Sequence, residues 1–149
     1  MNQVIIFCAV NLIFIASLYA FINVFFKRDR KHQLQELVIV FGSAFLAWFL
    51  AYVLKGIIAH PRPDAMNALI TPTSTYSFPS GHASFMFALA YAMYLFDKPA
   101  GRILFVLAIA TGVARVLVGV HYWYDILGGL VFGIFVAQII SLLIKRYRS

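Results

Sequence analysis

Apolar residues run almost without interruption through five stretches of the chain, at about 3–26, 37–59, 83–96, 103–120 and 123–144, and the polar residues are pushed into the gaps between them. A helix crossing the hydrocarbon core of a bilayer needs roughly 20 apolar residues rising about 1.5 Å each. The pattern therefore predicts an all-α, polytopic transmembrane bundle of about five spanning helices. The third stretch is the short one, and its helix is expected either to begin with Ser80 to His82 at the interface or to lie beside a locally thinned bilayer. Four of the five prolines fall between positions 60 and 79 among several serines and threonines, so helix does not continue through that segment and it forms the long loop. With no internal repeat, low-complexity run or linker, the reading is a single domain over 1–149.

Composition sharpens this. With 63% hydrophobic and 11% charged residues in 149, the chain is too apolar and too sparsely charged to furnish the surface of a soluble domain. The first stretch lacks a basic n-region and continues through Phe26 into Lys27-Arg28, which favours a retained helix over a cleaved signal peptide despite the small residues near Ala16 and Ala20. The lone Cys8 excludes an intramolecular disulfide or a cysteine zinc cluster and reads as a small apolar residue.

Nine of the twelve lysines and arginines (Lys27, Arg28, Arg30, Lys31, Lys98, Arg102, Lys145, Arg146 and Arg148) belong to the connections and tail on one side of a five-helix arrangement. Positive charge marks the cytoplasm, which puts the N-terminus outside and the C-terminus inside. A pI near 9.8 would suit nucleic acid, but no soluble basic domain, recognition helix or aromatic-basic strand accompanies it, and nucleic acid is excluded as a partner. The other three cations, Lys55, Arg62 and Arg115, lie at the opposite helix ends, where topology does not explain them.

Those three belong to segments with chemistry. Lys55 sits about one turn from the end of the second helix, and Pro61 and Pro63 force an extended path that can return Arg62 to it, so that a point charge and a planar fork share one phosphate. The alternative is snorkelling of Lys55 with Arg62 on the surface. In Phe78-Pro79-Ser80-Gly81-His82, Ser80 can cap the third helix, Gly81 admits close backbone approach, and free N–H groups at the helix start favour an anion beside His82; an ordinary interfacial histidine is the alternative. In the segment from Arg115 to Asp125, His121 and Asp125 are four apart and within hydrogen-bond reach on a helix. Asp125 can then fix the tautomer of His121 that leaves the other ring nitrogen free to attack phosphorus, or the pair merely joins two helices.

Together these segments resemble the type 2 phosphatidic acid phosphatase family, whose membrane lipid phosphatases share a site with vanadium haloperoxidases and some soluble acid phosphatases. The resemblance rests on Lys55 with Arg62-Pro63, on Pro79-Ser80-Gly81-His82, and on Arg115 with His121 and Asp125, and covers roughly 55–125. One position departs: Ala114 stands where the family has a serine before the arginine, and loses a hydrogen bond expected near the site. The resemblance implies that His121 is the nucleophile and forms a phosphohistidine, that Asp125 orients it, and that His82 protonates the leaving oxygen and then activates water. It implies that Lys55, Arg62, Arg115, the Ser80 hydroxyl and the N–H groups of Gly81 and His82 hold the nonbridging oxygens, with no metal and no cofactor. Outside Asp125 the acidic residues are Asp29, Glu36, Asp64 and Asp97, of which only Asp64 lies near these motifs.

The implied substrate is a lipid phosphate taken from the bilayer at the outer face of a cell membrane, in a bacterium the inner membrane. Undecaprenyl diphosphate is favoured because the chain has almost no external domain to grip a branched or sugar headgroup. Phosphatidylglycerol phosphate, phosphatidic acid and lipid A are the alternatives, and vanadate-dependent oxidation in the same pocket is a further rival. A non-enzymatic protein that binds or conducts anions would use the three cations but not two histidines and an aspartate. Larger family members typically have six helices, so one helix is expected to be missing on the N-terminal side, its place left open or taken by a second copy in a homodimer. Gly128, Gly129 and Gly133 read as a stripe for close helix packing, Tyr122, Trp123 and Tyr124 as an interfacial aromatic belt, His60 as a possible substrate contact, and His32 as a loop residue.

Overall fold

The computed structural model describes residues 2–27, 30–63, 67–72 and 74–146. Among them the chain forms the helices α1 Asn2–Lys27, α2 Arg30–Ile58, α3 Gly81–Tyr94, α4 Lys98–Leu117 and α5 Trp123–Arg146. One isolated antiparallel bridge, Pro61 to Tyr76, closes the base of the 59–80 loop. Arg28, Asp29, Asp64 and Arg148 lie outside the described residues.

Four of these helices are long and apolar enough to cross a membrane: Asn2–Phe26, His32–Ile58, Lys98–Leu117 and Trp123–Ile144. α3 is not among them, in keeping with the short third apolar stretch: its 14 residues rise only about 21 Å against a hydrocarbon core of about 30 Å. It starts where expected, with Ser80 as its N-cap, the hydroxyl accepting from the Ala83 N–H. Eleven of its residues are buried, and α2, α4 and α5 pack around it. A helix walled by other helices has no need to match the bilayer, so its length answers to the site at its N-terminus.

Packing inside is by small residues. Ala9, Ala16 and Ala20 of α1 and Ala44, Ala47 and Ala51 of α2 are fully buried, while Phe14, Phe26, Leu34, Ile57, Val106, Val131 and Phe135 face outward. That inversion suits a lipid solvent, where close backbone approach and dispersion hold helices together. The glycine stripe of α5 works this way against α3: a Cβ on Gly129 would lie 2.6 Å from Ala83 Cβ and 2.9 Å from the Ser80 carbonyl oxygen, and one on Gly133 would meet the Ser84 carbonyl. Polar side chains within the spans bond back to their own helix or across to a neighbour, as Thr111 to the Leu107 carbonyl (2.9 Å) and Tyr91 to Gln138 (2.6 Å).

α1 packs mainly on α4: Ala9 in its N-terminal half joins Ala114 and Val118, and Ala16, Ala20 and Val24 in its C-terminal half join the core cluster that holds Ala100, Leu104 and Ala108 of α4 together with Ile39, Val40, Ala44 and Ala47 of α2. In the C-terminal half of α2, Trp48 and Tyr52 stay exposed.

Candidate active site

Four chain segments converge where α2 and α4 end and α3 and α5 begin. Ala59 takes a left-handed conformation (φ 52°) directly after α2, and its N–H bonds to the Lys55 carbonyl at 2.9 Å, so the chain turns out of the helix into the loop. After α4, Gly119 at φ 80° turns the chain so that Val120 and His121 come back over the helix end. The start of α3 is tied to α5 by the Ser80 N–H, which donates to the Asp125 carbonyl at 3.1 Å.

These turns enclose a cavity of about 130 Å³ lined by Trp48, Tyr52, Lys55, Arg62, Ser74, Gly81, His82, Arg115 and His121. Six of the residues singled out in the sequence therefore share one space, and Asp125 lies directly behind it, fully buried. His121 donates from Nδ1 to Asp125 Oδ2 at 3.1 Å, and the Tyr122 N–H donates to the same oxygen at 2.9 Å. The proton on Nδ1 leaves Nε2 with its lone pair, and Nε2 stands 3.5 Å from Arg62 Nη1. Burial, with Lys55, Arg115 and Arg62 nearby, pushes His121 down to about 4 against the raising effect of its bond to Asp125, so the ring is neutral at ordinary pH.

Each cation is held differently. Lys55 Nζ donates to the carbonyls of Tyr76 and Ser77, both at 3.2 Å. Arg62 donates from Nε to the Ser74 carbonyl (2.7 Å), from Nη2 to Ser74 Oγ (2.9 Å) and from Nη1 to the Val120 carbonyl. Burial lowers the proton affinity of Arg62 and Asp125 opposes this; the guanidinium stays charged. Arg115 is 4% exposed and its Nε has no hydrogen-bond partner among the described residues. Arg115 thus lines the cavity as a buried cation whose donors are not all used within the protein. In the first turn of α3 the N–H groups of Gly81 and His82 precede the first intrahelical bond, Ser84 N–H to the Ser80 carbonyl at 2.9 Å.

Two of the expected residues sit differently. Ser80 does not line the cavity: it is fully buried and its hydroxyl caps α3. His60 also stays out of the cavity, its Nδ1 lying 3.0 Å from Ser77 Oγ and its Nε2 3.4 Å from the Tyr124 hydroxyl. Ala114, in the family's serine position, faces the apolar cluster of Ala9, Val118 and Val120. Ser74, Ser77, Trp48 and Tyr52 escaped the sequence reading. The two serines act through loop geometry that no spacing announces, whereas Trp48, Tyr52 and Lys55 stand at i, i+4 and i+7, a shared helix face legible in the sequence.

The PAP2 superfamily profile matches residues 36–149. The chain is similar to undecaprenyl-diphosphatase BcrC of Bacillus subtilis, 33% identical over 80% of this chain and 60% of that protein. It is also similar to putative undecaprenyl-diphosphatase YbjG of Escherichia coli, 30% identical over 89% of this chain and 68% of its relative. A third relative, a lipid A 1-phosphatase of Rhizobium etli, is 36% identical over 63% of this chain, which spans 44% of its length. Among solved structures, the transmembrane PAP2 type phosphatidylglycerolphosphate phosphatase of Bacillus subtilis superposes with a TM-score of 0.69 at 28% identity, covering 97% of this chain and 77% of that one. LpxE of Aquifex aeolicus does so at 0.71 and 25% identity, covering 95% and 87%. Motifs, fold and profile agree, and the chain belongs to the PAP2 superfamily.

Proposed function

We propose that this protein is a membrane lipid phosphatase whose single domain carries its chemistry in residues 55–125 and works through a phosphohistidine on His121. The observation that carries the reading is the cavity shared by Lys55, Arg62, Arg115, His82 and His121, with Asp125 holding the His121 proton on the far nitrogen. Nε2 attacks phosphorus as the bond to the leaving oxygen breaks, and His82 gives that oxygen a proton. Water then attacks the phosphohistidine, losing its proton to His82, and inorganic phosphate leaves. The three cations and the α3 N–H groups stabilise charge on the equatorial oxygens, the part that metal ions play in other phosphatases.

The favoured substrate is undecaprenyl diphosphate, which would release undecaprenyl phosphate, an anionic leaving group that asks less of His82 than an alkoxide. Similarity to two proteins named for that activity supports it, and lipid A 1-phosphate, phosphatidylglycerol phosphate and phosphatidic acid are the competing headgroups. Lysine and arginine crowd the α1–α2 connection, the start of α4 and the end of α5, opposite the site, so the positive-inside rule turns the site outward. The test is phosphate release by detergent-purified protein from undecaprenyl diphosphate and from phosphatidic acid, with and without EDTA, beside His121→Ala. EDTA-resistant release that vanishes in the variant is expected. Chelation that stops the reaction would overturn metal independence, and an active His121→Ala would overturn the mechanism.

A further inference from the structure

Behind the catalytic cavity a second histidine reaches the same aspartate. Asp125 uses Oδ2 for His121 and Tyr122; its other oxygen, Oδ1, has Ser77 Oγ at 3.4 Å. Ser77 is fully buried, and its hydroxyl stands among four partners: His60 Nδ1 at 3.0 Å, the Pro61 carbonyl at 2.9 Å, and the His60 carbonyl and Asp125 Oδ1, both at 3.4 Å. A hydroxyl has one proton to give. If His60 Nδ1 is bare it takes that proton. If Nδ1 carries hydrogen, it donates to Ser77 and frees the serine proton for Pro61 or Asp125.

Tyr124 is compatible with either state, because a phenol both donates and accepts, and the relay uses the one in which it donates. Its hydroxyl lies 3.4 Å from His60 Nε2, and the His60 ring stands edge-on to both Tyr122 (5.7 Å) and Tyr124 (5.5 Å), which holds it in place. A proton donated by Tyr124 to Nε2 puts the imidazole hydrogen on Nδ1. The bonds then run in one direction: Tyr124 to His60, His60 to Ser77, Ser77 to Asp125 Oδ1, while His121 donates to Oδ2.

We propose that His60 is a positioning residue, acting through Ser77 to keep a hydrogen-bond donor on Asp125 Oδ1 while His121 takes and releases the phosphoryl group. A second donor fixes the plane of the carboxylate, so Oδ2 stays aimed at the His121 Nδ1 proton when the phosphorylated ring is cationic. The kinetic part of this proposal rests on the phosphatase reading, and the geometric part does not.

The experiment pairs His60→Phe, which keeps a ring against the two tyrosines but removes both nitrogens, with His60→Asn, whose amide can replace the Nδ1 donor. His60→Phe is expected to lower kcat about tenfold with KM within about twofold, and His60→Asn to stay within about threefold of the parent. Ser77→Ala, alone and combined with His60→Phe, should show the same loss once and not twice. In parallel, the His121 Nδ1–H proton resonance of the ligand-free protein in detergent is expected to shift or broaden in His60→Phe and to hold in His60→Asn. Parent-like kcat in His60→Phe, equal losses in Phe and Asn, or additive losses with Ser77→Ala would overturn the relay. If the parent itself releases no phosphate, the phosphatase reading fails, and the proton resonance alone decides: an unmoved resonance in His60→Phe refutes the proposal.

Discussion

Acid is a direct probe of the site, because His121 is buried neutral among cations. Its side chain is 1% exposed, and burial together with Lys55, Arg115 and Arg62 moves the imidazole from 6.5 to about 4. Between those values the unfolded chain binds a proton that the folded chain refuses, so stability rises with pH across that window. The contribution is fully present above pH 6.5 and is lost as the pH falls toward 4. At about 1.4 kcal/mol per pKa unit this amounts to roughly 3 kcal/mol. Thermal unfolding in detergent from pH 7 to pH 4, compared between the parent and His121→Asn, isolates that one group. The parent should lose roughly 6–12 °C more than the variant, at about 2–4 °C per kcal/mol for a chain of this size. The acid limb of kcat/KM should likewise fall near pH 4 and not near 6.5. Parallel unfolding curves for the two proteins would refute the claim that burial and the three cations hold His121 neutral.

Further outcomes follow from single positions. Trp48→Ala with Tyr52→Ala, at the exposed side of the cavity, should raise KM for a long-chain lipid diphosphate several-fold and leave a water-soluble phosphate ester unaffected; equal effects on both would remove these rings from lipid binding. Ala59→Gly relieves a left-handed alanine and should stabilise the protein by about 0.5–1 kcal/mol, read as a higher unfolding midpoint; no gain would mean that residue 59 carries little strain. Gly129→Val places a side chain where even a Cβ meets Ala83 and the Ser80 carbonyl, and should lower both melting temperature and kcat by displacing the start of α3; an intact kcat would uncouple that packing from the site. Ala114→Ser adds a hydroxyl in the apolar cluster under α4, where it can bond to the i−4 carbonyl, and activity should stay within about twofold; a tenfold gain would mean that the hydroxyl reaches the phosphate.

The helices were legible because lipid and protein interior make one demand, a long apolar run. Their ends were less so: α2 begins at Arg30 and α4 at Lys98, several residues before their apolar stretches at 37 and 103, because charged residues at an interface extend a helix without cost. The cations and the His121–Asp125 pair were legible for the opposite reason, as polar groups that an apolar chain would otherwise exclude. What could not be read is how the 59–80 loop folds. Ser74 and Ser77 are ordinary loop serines in sequence, and only the Pro61–Tyr76 bridge sets one against Arg62 and the other between His60 and Asp125. The same reason misplaced His60: proximity to Lys55 and Arg62 in sequence suggested the cavity, while the fold of the loop sets its ring against Ser77, Tyr122 and Tyr124.

The length of α3 ties the fold to the chemistry. Its 14 residues fall about 9 Å short of the hydrocarbon thickness, so its free N–H groups open into a recess walled by α2, α4 and the loop, and not into bulk water. Cations gathered in such a recess repel one another and are poorly solvated. Lys55 and Arg62 offset this with carbonyl and hydroxyl partners, but the buried Nε of Arg115 has none among the described residues, and Asp125, behind the cavity, is committed to His121. A dianionic phosphate supplies countercharge for these three cations and acceptors for their donors. These donors are fixed before the substrate arrives, so they need not reorganise as charge spreads over the equatorial oxygens in the transition state. A longer α3 would carry Gly81 and His82 up into water, where the same groups would be solvated, screened and far weaker.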